Sequence, residues 1–216
     1  GPPHVDFTNR VTGFFWSGGT YVPGGNWRDT HGHGTHVAGS LLGNGTMSTG
    51  RYKGVAYEAN LIVQGTGSTL GGIPDDLNAL FNQAFTNGAR IHSDSWGYTD
   101  HGGYNSNSRD LDMFVWSNKT MLVLVAAGNA GVDSDGDGVV DLTSVGSPGT
   151  AKNCLTVGAA ESSRTAGGYS DRVWGSGSWA AKFTAEPIKS DGVSQPDSPQ
   201  GMAAFSGRGP CQDGRV

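Results

Sequence analysis

Residue patterns predict three helices in this chain, two of them from apolar residues at helical spacing. In residues 73–89, IPDDLNALFNQAFTNGA, the apolar side chains form one stripe, made of Leu77, Leu80, Phe81, Ala84 and Phe85. Residues 108–118 predict another helix, on which Leu111, Phe114 and Val115 share a face. A third helix is predicted from THVAGSLL, beginning at Thr35, where small residues allow close packing against neighbours and Gly43 and Gly45 mark the end. The first two are amphipathic, so each is expected to bury one face.

Short apolar runs between and after these helices predict strands. The run MLVLVAA at 121–127 indicates a strand buried on both faces, since no polar residue interrupts it. Further strands are predicted at 55–64, 91–97 and 153–160. Because strands alternate with helices, we predict the α/β class, with a mostly parallel central sheet covered by helices.

Composition and charge narrow the possible partners. The chain has 216 residues, enough for one domain, and a formal net charge of -5. No run of Lys or Arg exceeds two residues, so the basic patch that neutralises nucleic-acid phosphates is absent. The longest apolar run is far shorter than the roughly 20 residues that span a bilayer. We therefore expect neither nucleic acid nor membrane among the partners.

Residues 161–204 differ from the rest of the chain in composition. Gly, Ser and Trp are frequent, and any helix would be broken by Pro187, Pro196 and Pro199. We therefore predict an irregular surface excursion in this range. The two cysteines of the chain are equally consistent with one bridge or with two free thiols, and they are Cys154 and Cys211.

The stretch DTHGHGTHVAG, residues 29–39, holds three histidines within six positions. Two chemistries use histidine in this way. Three imidazoles from His31, His33 and His36 would bind zinc, as in the T-H-x-H-x-D-H pattern of binuclear metallo-hydrolases, although a threonine stands where the second metal needs a carboxylate. Alternatively, one histidine moves protons for a nucleophile.

Four motifs in a fixed order favour the second chemistry. GHGTHVAG is followed by SWG at 95–97, AAGN at 126–129 and FSGRGPCQDGR at 205–215. Together they resemble the histidine, substrate-binding, oxyanion and F-S-x-R-G-P motifs of the subtilisin-like serine proteases, the subtilases. The resemblance implies the subtilisin-like three-layer fold and a secreted serine endopeptidase that acts on peptides or proteins.

The resemblance also implies roles for five residues. His33 would be the general base that takes the proton from a serine hydroxyl and returns it to the leaving amine. Asn129 would donate its side-chain amide to the oxyanion formed when the substrate carbonyl is attacked. The backbone of Ser95, Trp96 and Gly97 would pair with an extended peptide as with another strand.

Two motifs of the family are not found among these residues. The triad aspartate motif D-S/T-G and the serine motif G-T-S-M-A are both missing from the sequence. Asp6 matches instead the H-P-D-F stretch after the family's first strand, and Ser48 in GTMSTG lies too close to the histidine helix. We therefore expect residues 1–216 to be a partial catalytic domain, incomplete at both ends, whose N- and C-terminal segments lie elsewhere. Such a chain would be inactive alone, and a catalytically inactive module that binds peptides or a partner remains the alternative.

Alternate aspartates follow the oxyanion motif. The stretch DSDGDGVVD resembles the first nine positions of a calcium loop, with carboxylates at Asp133, Asp135, Asp137 and Asp141. The bidentate acid of the twelfth position is missing, because Ser144 stands there. We expect a structural Ca²⁺ at this loop and no cofactor for catalysis.

Overall fold

A computed structural model gives the fold and describes residues 4–24, 27–66, 73–194 and 201–216. The chain forms two compact units, Gly1–His92 and Ser93–Val216. The α-helices and strands follow in the order β1 (Val11–Ser17), β2 (Thr20–Pro23), α1 (His33–Leu42), β3 (Leu61–Gly65), α2 (Leu77–Thr86), β4 (Ile91–Asp94), α3 (Ser106–Ser117), β5 (Leu122–Ala126) and β6 (Leu155–Val157). Helices and parallel strand pairs together confirm the α/β class.

The first sheet has the order β2-β1-β3. β1 pairs antiparallel with β2 through a tight turn, and parallel with β3, so that Val11 lies opposite Leu61. α2 begins after Asp76, whose carboxylate accepts a hydrogen bond from the Asn78 N–H at 2.9 Å. Four residues of the predicted stripe of α2 are buried, namely Leu77, Leu80, Phe81 and Ala84, and Phe85 is half-buried.

The second sheet has the order β4-β5-β6, with β5 and β6 parallel. α3 is capped by Asn105 and buries Leu111 and Phe114, as its pattern predicted. The prediction that β5 is buried on both faces is wrong. Val123 and Val125 are fully buried, but Leu122, which points to the opposite face, is 44% exposed. Side chains alternate along a strand, and an uninterrupted apolar run does not show whether both faces are covered.

The described part of residues 161–204 contains no α-helix, only two short 3-10 helices at Gly177–Trp179 and Ile188–Ser190. Residues 195–200, with two of the predicted helix-breaking prolines, lie outside the described residues. The irregular chain nevertheless carries a hydrophobic cluster of its own, centred on the fully buried side chains of Trp174 and Phe183. The Trp174 indole N–H donates to Glu161 Oε1 at 3.1 Å, which satisfies its one polar group.

Within the described ranges, no helix is long and apolar enough to cross a membrane. Both cysteines are free thiols in the structure. The Cys154 side chain lies close to Thr156 Oγ1, at 3.4 Å, and burial raises the pKa of its thiol.

Candidate active site

The predicted general base, His33, is the first residue of α1. The chain enters the helix through Gly32, whose φ of 92° lies in the left-handed region that favours glycine. The His33 side chain is exposed, and its ring centroid lies 6.3 Å from that of His31. The imidazole is therefore accessible from outside the first turn of α1.

Asp29 fixes the turn that leads into this helix. Its Oδ1 accepts hydrogen bonds from the backbone N–H groups of His31 at 3.0 Å and Gly32 at 2.7 Å. Its Oδ2 accepts from the Thr35 N–H at 2.7 Å and the Thr35 hydroxyl at 2.8 Å. Partial burial disfavours the charged carboxylate, but the hydrogen bonds from Thr35, Gly32 and His31 together outweigh it and hold the pKa of Asp29 at about 2. Asp29 is therefore the capping acid of the helix that carries His33.

The three histidines do not converge as zinc ligands. Among the described residues, one group of at least three acidic, histidine or cysteine side chains has ligand atoms within 4.8 Å of one another, and it contains no histidine. His31, His33 and His36 are all exposed. Zinc needs several donor atoms at about 2 Å from one point. The metallo-hydrolase interpretation therefore has no site in this structure.

Asp6 and Ser48 have the side-chain types of the two missing triad members, but both have structural roles. Asp6 Oδ1 accepts a hydrogen bond from the Met47 N–H at 2.9 Å. Ser48 Oγ accepts from the Tyr52 N–H at 2.8 Å and donates to the Gly45 carbonyl at 3.0 Å. These bonds stabilise the turn around the 3-10 helix Thr46–Ser48, so neither residue replaces a triad member.

The predicted substrate segment, residues 95–97, begins where β4 ends at Asp94. Ser95 and Gly97 are exposed, while Trp96 is half-buried and donates its indole N–H to Asp94 Oδ1 at 3.0 Å. Gly97 has a packing reason to be glycine, because a Cβ there would stand 2.7 Å from the Ser147 carbonyl oxygen. The backbone of this segment is thus accessible on one side and tightly packed on the other.

Asn129, the predicted oxyanion donor, lies in the turn that follows β5. Its side chain is exposed, and its backbone carbonyl accepts a hydrogen bond from Lys182 Nζ at 3.2 Å. Residues 127–129 form the oxyanion turn, and backbone hydrogen bonds fix its first two residues. The Ala127 carbonyl accepts from the Gly146 N–H at 3.2 Å, and the Gly128 carbonyl accepts from the Gly207 N–H at 3.0 Å.

The F-S-x-R-G-P segment supports this oxyanion turn. Besides the bond from Gly207, its Phe205 carbonyl accepts from the Gly131 N–H at 2.9 Å. The two backbones come so close that a Cβ on Gly207 would stand 2.3 Å from the Ala127 oxygen, and one on Gly131 would stand 2.2 Å from the Ala204 oxygen. Two motifs far apart in sequence therefore form one packed unit around the turn that carries Asn129.

The aspartate loop brings together three of its four predicted ligands. The carboxylates of Asp133, Asp135 and Asp137 offer oxygens within 4.8 Å of one another. Asp133 is buried, and its two oxygens accept from the N–H groups of Asp137 at 3.1 Å and Gly138 at 3.2 Å. Asp141 is not in this group. Hydrogen bonds from Ser134 lower the pKa of its carboxyl, and its Oδ2 accepts the Ser134 N–H at 3.0 Å.

The same loop is anchored to the irregular chain beyond residue 161. The Asp133 N–H donates to the Lys182 carbonyl at 3.0 Å. Gly138, with a φ of 83°, packs so closely against the Glu186 carbonyl that a side chain would collide with it. Oxygen donors held by a fixed backbone are the donor set that a hard cation such as Ca²⁺ prefers.

Sequence reasoning missed a polar network beside the substrate segment, formed by Asp100, Asn105 and Ser147. Asn105 directly precedes α3, and its Oδ1 accepts from the N–H groups of Asn107 at 3.0 Å and Ser108 at 3.3 Å. An asparagine before a helix is a signal for this capping role. Nothing in the sequence indicated that its amide nitrogen would reach Ser147, 42 residues further along the chain.

Comparisons with known proteins agree with the motifs. The subtilase family model matches residues 4–216. The chain is 32% identical over 185 residues to the serine protease AprX of Bacillus subtilis, an alignment that covers 79% of this chain and 38% of that protein. It is 31% identical over 138 residues to the serine protease/ABC transporter B family protein tagB of Dictyostelium discoideum, covering 60% of this chain and 7% of that protein. The self-cleaved protease domain of PatA is a solved structure with 27% identity, a TM-score of 0.46, and coverage of 61% of this chain and 45% of that chain.

Because the family model spans almost the whole sequence, the chain belongs to the subtilase family. It spans well under half the length of AprX and of tagB. His33 lies in the first unit, and residues 95–97 and Asn129 lie in the second. That these residues serve one cleft stays a prediction.

Proposed function

We propose that these residues form part of a secreted subtilisin-like serine endopeptidase that hydrolyses peptide bonds through an acyl-enzyme. The family match over residues 4–216 carries this proposal. The exposed side chains of His33 at the start of α1 and Asn129 just after β5 support it further. In this proposal the catalytic serine and the orienting aspartate are supplied from outside these residues, since neither motif occurs in the sequence.

In the proposed reaction an extended peptide pairs with the backbone of residues 95–97. The serine hydroxyl attacks the substrate carbonyl while His33 Nε2 accepts its proton. The side-chain amide of Asn129 donates a hydrogen bond to the oxyanion of the tetrahedral intermediate. His33 then returns the proton to the leaving amine, and water repeats the sequence on the acyl-enzyme.

The test is peptide hydrolysis by the natural protein, meaning the whole chain as its organism produces it, and by single-residue variants of that protein. We expect His33→Ala to lower kcat by about 10⁶ and Asn129→Ala by about 10²–10³, magnitudes measured on subtilisin, a member of this family, and carried over here. The control is His31→Ala, an exposed neighbour two residues away that should leave kcat within about twofold. Equal losses in His33→Ala and His31→Ala would contradict the role of His33.

The second candidate is a catalytically inactive module that binds extended peptides. The lack of both triad motifs among the 216 residues favours it. A fluorophosphonate probe separates the two, because it labels only an activated serine. Labelling of the natural protein supports the peptidase, whereas no labelling, together with binding of a peptide that stays uncleaved, supports the inactive module. The 216 residues alone are expected to show neither hydrolysis nor labelling.

We also propose that the aspartate loop holds a structural Ca²⁺ through Asp133, Asp135 and Asp137, while Asp141 Oδ2 accepts the Ser134 N–H within the same loop. Calcium would neutralise the repulsion among carboxylates whose oxygens lie within 4.8 Å of one another. We expect Tm to rise on addition of Ca²⁺ and to fall with a chelator, and Asp135→Asn to reduce both changes. Asp171→Asn, at an exposed acid outside the loop, is the control. If neither calcium nor chelator changes the Tm, the loop is an ordinary acidic turn without a bound cation.

A further inference from the structure

Ser147 connects the substrate segment with the oxyanion turn, although it belongs to neither motif. Its side chain is completely buried. Its carbonyl accepts a hydrogen bond from the Tyr98 N–H at 2.8 Å and fills the space beside Gly97. One residue earlier, the Gly146 N–H donates to the Ala127 carbonyl at 3.2 Å, two residues before Asn129. Residues 146–147 therefore lie between the two segments and are bonded to both.

Two side chains hold Ser147 in this place. Asp100 Oδ1 accepts from the Ser147 N–H at 2.8 Å. Asn105 Nδ2 donates to Ser147 Oγ at 2.6 Å and to Asp100 Oδ2 at 2.9 Å. Because Asn105 also caps α3 through its Oδ1, the network connects Ser147 to the N-terminus of α3. The network is partly buried around the completely buried Ser147, and bonds among all three members specify one geometry, so losing a member leaves a polar group beside Ser147 unpaired.

We propose that Asp100 and Asn105 are positioning residues of the peptidase site, which act through Ser147 to set the spacing between residues 95–97 and Asn129. This proposal rests on the proposed function. A peptide bound at residues 95–97 must place its carbonyl so that the oxyanion formed from it lies about 2.7–3.1 Å from the Asn129 amide nitrogen. A displacement of 1 Å can cost about 100-fold in rate, even when the altered residue is far from the reacting atoms. Neither Asp100 nor Asn105 has to touch the substrate for this effect.

Asn105→Asp is the discriminating variant. It keeps an oxygen for capping α3, where Asp and Asn are equally good. It replaces the donor Nδ2 with an oxygen that faces Asp100, so the bond to Asp100 Oδ2 is lost and two carboxylates meet there, while the Ser147 hydroxyl must change from acceptor to donor. Asn107→Asp is the matched control, because it adds the same charge in the first turn of the same helix. In the natural protein we expect kcat to fall about 10-fold to 100-fold in Asn105→Asp and to stay within about twofold in Asn107→Asp.

A double-mutant cycle separates positioning from a general loss of structure. If Asn105 acts by placing the substrate carbonyl against Asn129, Asn105→Asp should cost much less in an Asn129→Ala background, since the misplaced donor is already gone. An equal fold-loss in kcat in both backgrounds would overturn the proposal. KM is expected to change less than kcat, because the contact with the oxyanion forms only in the transition state.

Hydrogen exchange tests the positioning without relying on activity. The Tyr98 and Gly146 N–H groups are bonded across the segments that Ser147 joins. We expect both amides to exchange at least about tenfold faster in Asn105→Asp and not in Asn107→Asp. Unchanged exchange in Asn105→Asp overturns the positioning proposal, whether or not the protein is a peptidase. Faster exchange in a natural protein without hydrolysis would show that the network works as described and that the proposed function is wrong.

Discussion

The surroundings of His33 and of Asn129 are built in different ways. His33 begins a regular helix, and the turn before it depends on one carboxylate, Asp29, which binds groups at most six residues away. The turn that carries Asn129 is held by backbone groups from distant parts of the chain, including Gly146 and Gly207. Local sequence therefore determines the first arrangement, and tertiary packing determines the second.

This difference has consequences for the effect of substitutions. A change near His33 should act locally, because the hydrogen bonds of Asp29 span only a few residues. A change near Asn129 should spread, since the oxyanion turn, the F-S-x-R-G-P segment and residues 146–147 share bonds. The following substitutions test this contrast, from the largest expected effect to the smallest.

Phe183→Ala should have the largest effect, at about 3–5 kcal/mol of unfolding free energy, because it empties the core of the irregular chain beyond residue 161. Phe183 is completely buried against Trp174. Its neighbour Lys182 bonds both Asn129 and the aspartate loop, so the damage should reach the oxyanion turn. Urea unfolding measures the loss. Tyr52→Ala is the control, because the Tyr52 side chain is 67% exposed, and its unfolding free energy should stay within about 0.5 kcal/mol of the unmodified chain. Equal losses in the two variants would show that the cluster is not a core.

Gly131→Ala should cost about 1–3 kcal/mol, because its new Cβ would stand 2.2 Å from the Ala204 carbonyl oxygen, which belongs to packed backbone. The matched substitution in the first unit is Gly39→Ala within α1, where a Cβ meets nothing within 4 Å. Gly39→Ala should be neutral or stabilising by up to about 1 kcal/mol, from helix propensity. Thermal unfolding of both variants measures the contrast, and the reverse order of stability would contradict it.

Asp29→Ala should cost about 1 kcal/mol, the usual loss of a helix cap. The effect should be confined to the start of α1, with faster hydrogen exchange at the Gly32 and Thr35 amides that Asp29 binds. The Gly131 amide, which donates to the Phe205 carbonyl beside the oxyanion turn, should keep its protection. Loss of protection at Gly131 as well would show that the two surroundings are not independent in the way described.

Acid should weaken the same cap with a small effect. The pKa of Asp29 is lowered from its ordinary value of 3.8 to about 2, so the folded state binds this proton less readily than the unfolded state. The stabilising contribution is complete above pH 3.8 and is lost as the pH falls towards 2. A comparison of Tm for the unmodified chain and Asp29→Ala should show the difference between them shrinking over that range. A constant difference would contradict the cap as an ionised group.

Sequence patterns anticipated what local chemistry determines. The stripe of α2 was correct because Leu77, Leu80, Phe81 and Ala84 recur at helical spacing, and that spacing alone selects the buried face. α1 begins at His33, two residues before its predicted start, because small residues and glycine give a weak boundary signal. The motifs identified the family, since four of them occur in a fixed order.

Long-range close approaches could not be predicted from the sequence. Gly97 was predicted to pair with a peptide through its backbone, yet the structure also shows the Ser147 carbonyl in the place of its missing side chain. The burial of Trp174 and Phe183 was missed because glycine- and serine-rich chain gives no periodicity that marks an inward face. Such features depend on which distant segments meet, and neither composition nor spacing records that.

The central claim is that His33 and Asn129 act on one substrate carbonyl, and an experimental structure of the natural protein with a peptide boronate bound to its serine tests it most directly. The boronate oxygen stands in for the oxyanion of the tetrahedral intermediate. We expect Asn129 Nδ2 at about 2.7–3.1 Å from that oxygen and His33 Nε2 within hydrogen-bond distance of the adduct. An adduct that neither side chain contacts, or the two residues on opposite sides of the molecule, would contradict it.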